Sequence, residues 1–277
     1  MTTSQFEFYA GAEVFRTGLI VPPVRPLTFA RYAESGNPMF SLEQIRDILA
    51  DPSRTPARKQ FPSSIWIGRQ INNGCNGWAG AGGLGRARVR AGLAPVVLSG
   101  DGLYAQISGG RDGGSMLDDG MQAMQRSGIP PQDLVRIGIY HASSLSAEAR
   151  AAMSRFRGFE CYRVDEDLEL ASGLAAGFIG VVAVHYSDAY RRLDSTGLTA
   201  ESLGPGNHAV GVQDLRIQNG ELQYDSFNSH GRSYGQDGCN WISWRRHLAE
   251  SVRYHAFYLI RSASADPQAD NPPVPKR

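Results

Sequence analysis

The sequence predicts an α+β fold, on two observations. Up to Gly177 the apolar residues recur mainly at helical spacing, and from Ile179 onward they fall into strand-like runs. Two of those runs are joined by Asn219-Gly220, the strongest short hairpin signal. A helical part followed by antiparallel strands is the α+β pattern, unlike the strict βαβ alternation of a doubly wound sheet. With 277 residues, 42% hydrophobic and 20% charged, the chain can bury one large core or two smaller lobes. Its formal net charge of +1 gives no field that would make nucleic acid or an anionic membrane the main partner.

Residues 1–60 read as an N-terminal extension rich in proline (Pro22, Pro23, Pro26, Pro38). Its one helix signal is SLEQIRDILA: Ser41 can cap, Gln44 can reach back to it, and Ile45, Ile48 and Leu49 form an apolar stripe. The extension is read as an arm that docks on a protein partner. The main domain, 61–261, opens on SSIWIGRQI, a candidate strand. Helices are expected over 76–91, 115–128, 145–156 and 165–177. The acidic run Asp165 to Asp167 is assigned to a helix N-terminus, where the dipole favours it, and no metal site is expected. IGVVAVHY, HAVGVQDLRIQ, ELQYDSF and VRYHAFYLI supply the strands. From Ser262 to Arg277 the chain is apolar-poor with four prolines, so 262–277 is expected to be a flexible tail.

Cys75, Cys161 and Cys239 lack the spacing of a disulfide framework or a zinc site. At least one thiol is therefore expected to be free. No secretory signal is legible at the N-terminus, and no run approaches the ~18 apolar residues of a membrane span. The default setting is intracellular and cytoplasmic, with no cofactor.

The stretch QINNGCNGWAGAGGLG, Gln70 to Gly85, carries two competing patterns. Gly80, Gly82 and Gly85 spell the G-x-G-x-x-G of a dinucleotide turn, and Asp101 lies about 20 residues on. That turn needs its glycines directly after a strand, and Asn72 to Ala79 intervene. The glycines are better read as letting a helix approach its neighbours closely. Cys75 then falls at the N-terminus of that helix, where unsatisfied N–H groups favour thiolate. A thiol nucleophile needs an imidazole to take its proton and a third group to orient the imidazole. His208 and Asn228 stand roughly 130 to 150 residues further along, the offset of such partners in papain-type enzymes.

These residues resemble the papain-like cysteine peptidases, from about Phe61 to Ile260. QINNGCNGWA resembles the family's Gln-x-Gly-x-Cys-Gly-Ser-Cys-Trp-Ala block, and LSGDGLYA its Leu-Ser-Glu-Gln segment. RDGGSMLDDGMQAMQRSGIP is similar to the Gly-Cys-x-Gly-Gly loop and the helix after it. IGVVAVHYSDAYRRLDSTGL is similar to the strand and loop before the family's histidine, and HAVGV to the strand that carries it. NSHGRSYGQDG matches Asn-Ser-Trp-Gly-x-x-Trp-Gly-x-x-Gly except at the two tryptophans. The resemblance implies two lobes, one helical and one of antiparallel strands, with the active site in the cleft between them. It implies Cys75 as nucleophile, His208 as base then acid, Asn228 as the group orienting the imidazole, and Gln70 as an oxyanion donor with the Cys75 N–H. Gly113 and Gly114 would offer an open backbone edge to an extended peptide or protein substrate, and His230, beside the catalytic pair, would be a third substrate-binding residue.

The departures from the family are specific. Asn76 stands where an aromatic follows the cysteine, His230 and Tyr234 replace the two tryptophans, and Gln70 is one residue nearer the cysteine. The first 60 residues lack the inhibitory propeptide pattern. Two functions follow as expectations: a thiol hydrolase cleaving peptide or isopeptide bonds, or a papain-fold module of weakened or lost chemistry serving as a structural or binding component of a bacterial or bacteriophage assembly, incorporated in a virus particle if phage-encoded. An acyltransferase or amidase would use the same triad.

Overall fold

A computed structural model describes residues 7–10, 13–157 and 159–262. The tail expected over 262–277 lies outside the described residues, apart from Ser262.

A short antiparallel pair, β1 (Glu7–Ala10) and β2 (Glu13–Arg16), comes first. α1 (Leu42–Ala50) follows with the expected reciprocal cap: Ser41 Oγ accepts from the Gln44 N–H and Gln44 Oε1 from the Ser41 N–H. Its Ile45 is completely buried. Two single helical turns come next, α2 (Ala57–Gln60) and α3 (Ser63–Trp66). The strand expected over SSIWIGRQI is thus corrected to a helical turn followed by extended chain. Pro62, fixed at φ −62°, starts the turn at its N-cap, and the Trp66 ring packs edge-on to Phe61, with centroids 5.9 Å apart.

The central helix is α4 (Cys75–Arg90), beginning one residue before the predicted span. Its glycines face three neighbours at once: a Cβ on Gly80 would meet Met124 at 2.9 Å, on Gly83 Ile260 at 3.1 Å, and on Gly85 Trp66 at 2.8 Å. Close packing is therefore their physical meaning. α5 (Gly100–Ile107), capped by Ser99, α6 (Leu117–Arg126) and α7 (Ala147–Met153) complete the helical lobe. That lobe has a small core of its own, formed by Ala105, Val135, Ile139, Leu145, Ala149 and Met153.

Beyond it come β3 (Phe159–Val164), α8 (Asp167–Ala175), β4 (Ile179–Val184), β5 (His208–Gln218), β6 (Glu221–Phe227), β7 (Cys239–Ser243) and β8 (Phe257–Ser262). The strands form one antiparallel sheet in the order β3-β8-β4-β5-β6-β7. β4 is buried at every position because α4 covers one of its faces and α8 also packs on it. Asn219 (φ 53°) and Gly220 (φ 76°) turn β5 into β6, as their sequence predicts. Asp167 opens α8, and Arg25, Arg31 and Arg163 pair with Asp165 just before it. Cys161 and Cys239 are buried thiols of β3 and β7. Among the described residues no helix is long and apolar enough to cross a membrane.

Candidate active site

The loop before α4 is held from below. Buried Asp101 accepts from Asn72 Nδ2 at 2.9 Å, from Trp78 Nε1 at 3.2 Å and from the Gly138 N–H at 2.7 Å. Asp112 accepts from the Asn73 N–H at 2.7 Å and from the Tyr104 hydroxyl at 3.0 Å. The acid that matched a ribose ligand by spacing thus serves to shape the cysteine loop. Cys75 sits at the first position of α4, completely buried. Asn76, in the aromatic's place, donates to Ser115 Oγ (3.1 Å) and to the Met116 carbonyl (2.6 Å), tying the cysteine's helix to the loop that contains Gly113 and Gly114.

His208 begins β5 and Asn228 follows β6, so the pairing of these strands brings them together. His208 Nε2 donates to Asn228 Oδ1 at 2.8 Å; that oxygen also accepts from the Ser229 N–H, which fixes it as the acceptor. The proton is thereby placed on Nε2, leaving Nδ1 as the basic nitrogen. Among the described residues, Nδ1 has no hydrogen-bond partner. His230 lies on the His208 ring with centroids 4.6 Å apart at 24°, and Tyr186 meets both rings edge-on, at 5.1 and 5.0 Å. His230 thus covers the imidazole from the position of one family tryptophan, and Tyr186 closes its edge.

Gln70 is buried beside the loop that follows β6. Its backbone N–H donates to the Ser229 carbonyl at 2.7 Å, its Oε1 accepts from Ser229 Oγ, and Arg69 bridges antiparallel to His230. Sequence reasoning missed Ser229, although its place beside Asn228 is a signal for it. Behind Asn228 and Ser229 lies a largely apolar hollow of about 250 Å³, lined by Trp66, Trp78, Val97, Ile137 and Phe227.

Residues 16–20 run through the cleft and bind both lobes. The Gly18 carbonyl accepts from the Ser115 N–H at 2.9 Å, the Ile20 N–H donates to the Ser115 carbonyl at 3.0 Å, and the Leu19 N–H donates to the Asn207 carbonyl at 3.0 Å. Gln70 Nε2 donates to the Arg16 carbonyl at 2.8 Å, as does His230 Nε2 at 3.1 Å. The pairing edge is Ser115, since the Gly114 N–H is taken by the Tyr104 hydroxyl at 3.0 Å. Gly114, at φ +89°, leaves room for the Gly18 carbonyl, which a Cβ would overlap; Gly113 faces open space. No propeptide pattern marks this strap in the sequence.

Burial under the strap decides the protonation of the pair. It pushes the Cys75 thiol up to about 11, against the opposing pull of backbone N–H groups from Ala209, Gly18 and Asn76. It pushes His208 down to about 4, against the opposing effect of its hydrogen bond to Asn228. The sequence-based expectation of a thiolate at the helix N-terminus is overridden here, because the strap removes the water that ionisation needs. At neutral pH the covered site holds a neutral thiol and a neutral imidazole.

No protein-family model matches the chain, and no curated protein sequence is detectably similar. Solved structures are similar in fold. Xylellain, a cysteine protease from Xylella fastidiosa, superposes with a TM-score of 0.63 at 19% identity over 89% of this chain and 96% of that one. Digestive procathepsin L 3 of Tenebrio molitor larval midgut gives 0.59 at 16%, over 88% and 76%. Procathepsin B S9 from Trypanosoma congolense gives 0.59 at 15%, over 90% and 87%. The chain therefore has the papain-like fold.

Proposed function

We propose that the protein is a thiol hydrolase of peptide or isopeptide bonds, held in a covered state by residues 16–20. The observation that carries this reading is the His208 Nε2–Asn228 Oδ1 hydrogen bond of 2.8 Å, which leaves Nδ1 as a base on the residue next to Ala209, whose backbone N–H addresses the Cys75 sulfur. With the cleft opened to substrate, His208 Nδ1 takes the thiol proton and the Cys75 sulfur attacks the carbonyl carbon. His208 then gives that proton to the departing amine, leaving a thioester. Water, deprotonated by His208, attacks the thioester; the acid leaves and the thiol is restored. An acyltransferase or amidase would share the first half of this cycle.

The inert-module reading draws on the same strap, which in that case never leaves. Gly18 separates the two. A Cβ there would overlap the Asn73 carbonyl oxygen, so Gly18→Val expels the strap while the core beneath stays intact. Iodoacetamide followed by mass spectrometry of the intact protein and its peptides is expected to label Cys75 of Gly18→Val selectively and faster than Cys75 of the wild type. His208→Ala in the same background is expected to abolish that selectivity. Equal, slow labelling of Cys75, Cys161 and Cys239 in Gly18→Val would sink the hydrolase reading.

A further inference from the structure

The Arg16 carbonyl of the strap receives two side-chain donors, and they come from two loops that pair with each other through the Arg69–His230 bridge. Gln70 reaches it at 2.8 Å from the cysteine loop and His230 at 3.1 Å from the loop after β6. Because a carbonyl oxygen only accepts, the His230 proton is on Nε2. Thr17 alone separates this carbonyl from the Gly18 N–H that points at the Cys75 sulfur, so the two donors and the nucleophile address adjacent peptide units.

The ring is built to aim that proton. It lies on His208 at 4.6 Å, it is walled edge-on by Tyr186 at 5.0 Å and Tyr234 at 5.7 Å, and its backbone bridges to Arg69, next to Gln70. Burial and the neighbouring His208 both push His230 well below its ordinary value, which keeps it a neutral donor.

Resting on the hydrolase reading above, we propose that His230 is a catalytic residue: once the strap leaves, His230 Nε2–H joins Gln70 Nε2 in holding the oxygen of the attacked carbonyl. As the Cys75 sulfur adds to carbon, the π pair moves onto this oxygen, and the two donors stabilise the charge without giving up a proton. Asn76 stands where the family has an aromatic and Gln70 is one residue closer to the cysteine; His230 completes the oxyanion site from the loop that pairs with the Gln70 segment.

The test uses two reagents on the full chain carrying Gly18→Val. p-Nitrophenyl acetate has a single carbonyl, the one attacked, so its acetylation of Cys75 passes through an oxyanion. Iodoacetamide alkylates by displacement at carbon and forms none. His230→Phe keeps the stacked ring and removes the N–H; acetylation of Cys75 is expected to fall by roughly a hundredfold, with alkylation within twofold of the parent. His230→Trp returns an N–H at the ring edge and is expected to recover most of the loss. Unchanged acetylation in His230→Phe overturns the proposal, and so does a parallel fall in both reactions, which would mean that His230 acts only through His208. If the Gly18→Val parent itself shows no preference for Cys75 with either reagent, the hydrolase reading falls first and this one with it.

Discussion

At the residue scale, Ser229 shows how a side chain outside the triad can set the chemistry. Gln70 has two N–H donors, and its usefulness depends on the amide facing the cleft with nitrogen outward. Ser229 Oγ donates to Gln70 Oε1 while the Ser229 backbone also receives the Gln70 N–H, so the amide is pinned at its oxygen and its nitrogen is left for the Arg16 and Asn72 carbonyls. A net neutral hydrogen bond contributes about 1 kcal/mol, or roughly fivefold in a population. Ser229→Ala in the Gly18→Val background is expected to slow acetylation of Cys75 by p-nitrophenyl acetate about fivefold and to leave alkylation by iodoacetamide unchanged, because the thiol and imidazole keep their partners. An unchanged acetylation rate would show that packing alone orients the amide.

At the scale of the element, α4 links sequence most directly to site. Gly77 faces α5 so closely that a Cβ would overlap the Gly100 carbonyl oxygen, whereas a Cβ on Gly82 would meet side-chain atoms, the edge of the Phe227 ring at 2.9 Å and Arg86 Nη1 at 3.1 Å. Alanine brings up to about 1 kcal/mol of helix propensity at either position. Against this, overpacking costs about 1–3 kcal/mol where the neighbour cannot move. A backbone carbonyl inside a helix cannot move, and a ring can. Gly77→Ala is therefore expected to lower the thermal midpoint by several degrees and to shift Cys75, while Gly82→Ala stays within about two degrees of the parent; equal midpoints would contradict the packing argument. The same contrast explains what the sequence made legible. The glycines of α4, the Ser41 cap, the Asn219-Gly220 turn and the order Gln70, Cys75, His208, Asn228 all depend on side-chain identity or on the lack of a side chain. The strap over the cleft does so at one position only. It is held mainly by backbone N–H and carbonyl groups of residues 16–20, and its close fit demands only that Gly18 lack a Cβ, so a single glycine is all that RTGLI offers to mark it. β3 went unassigned although Phe159, Cys161 and Val164 are its buried positions, because its partner β8 lies about a hundred residues further on and no local turn connects them.

At the scale of the whole molecule, the fold buries four histidines in their neutral form, and this sets its response to acid. Burial pushes His208 and His255 down to about 4, lowers His247, and, with His208 nearby, lowers His230 further. In the unfolded chain each would take up a proton near pH 6.5, so the unfolded state binds more protons between about pH 6.5 and pH 4 and the fold loses stability as pH falls through that window. His208 and His255 alone represent roughly 3 kcal/mol each, as an upper estimate for shifts of this size. Buried carboxyls act in the opposite direction. Asp167, raised to about 6 by burial, stabilises the fold as it becomes protonated, and Asp101 and Asp119 are raised as well. Asp167 offsets roughly one histidine, and the other two carboxyls are shifted less, so the histidines prevail. The urea midpoint is expected to be steady between about pH 7 and pH 8 and to fall steeply between about pH 6.5 and pH 4.5. His255→Gln should reduce that slope, because Gln can still offer an amide N–H to the Gly206 carbonyl, which His255 Nε2 approaches at 3.3 Å, without taking up a proton on unfolding. A midpoint that rose on acidification would mean that the carboxyls prevail and that the buried imidazoles are better solvated than the fold implies.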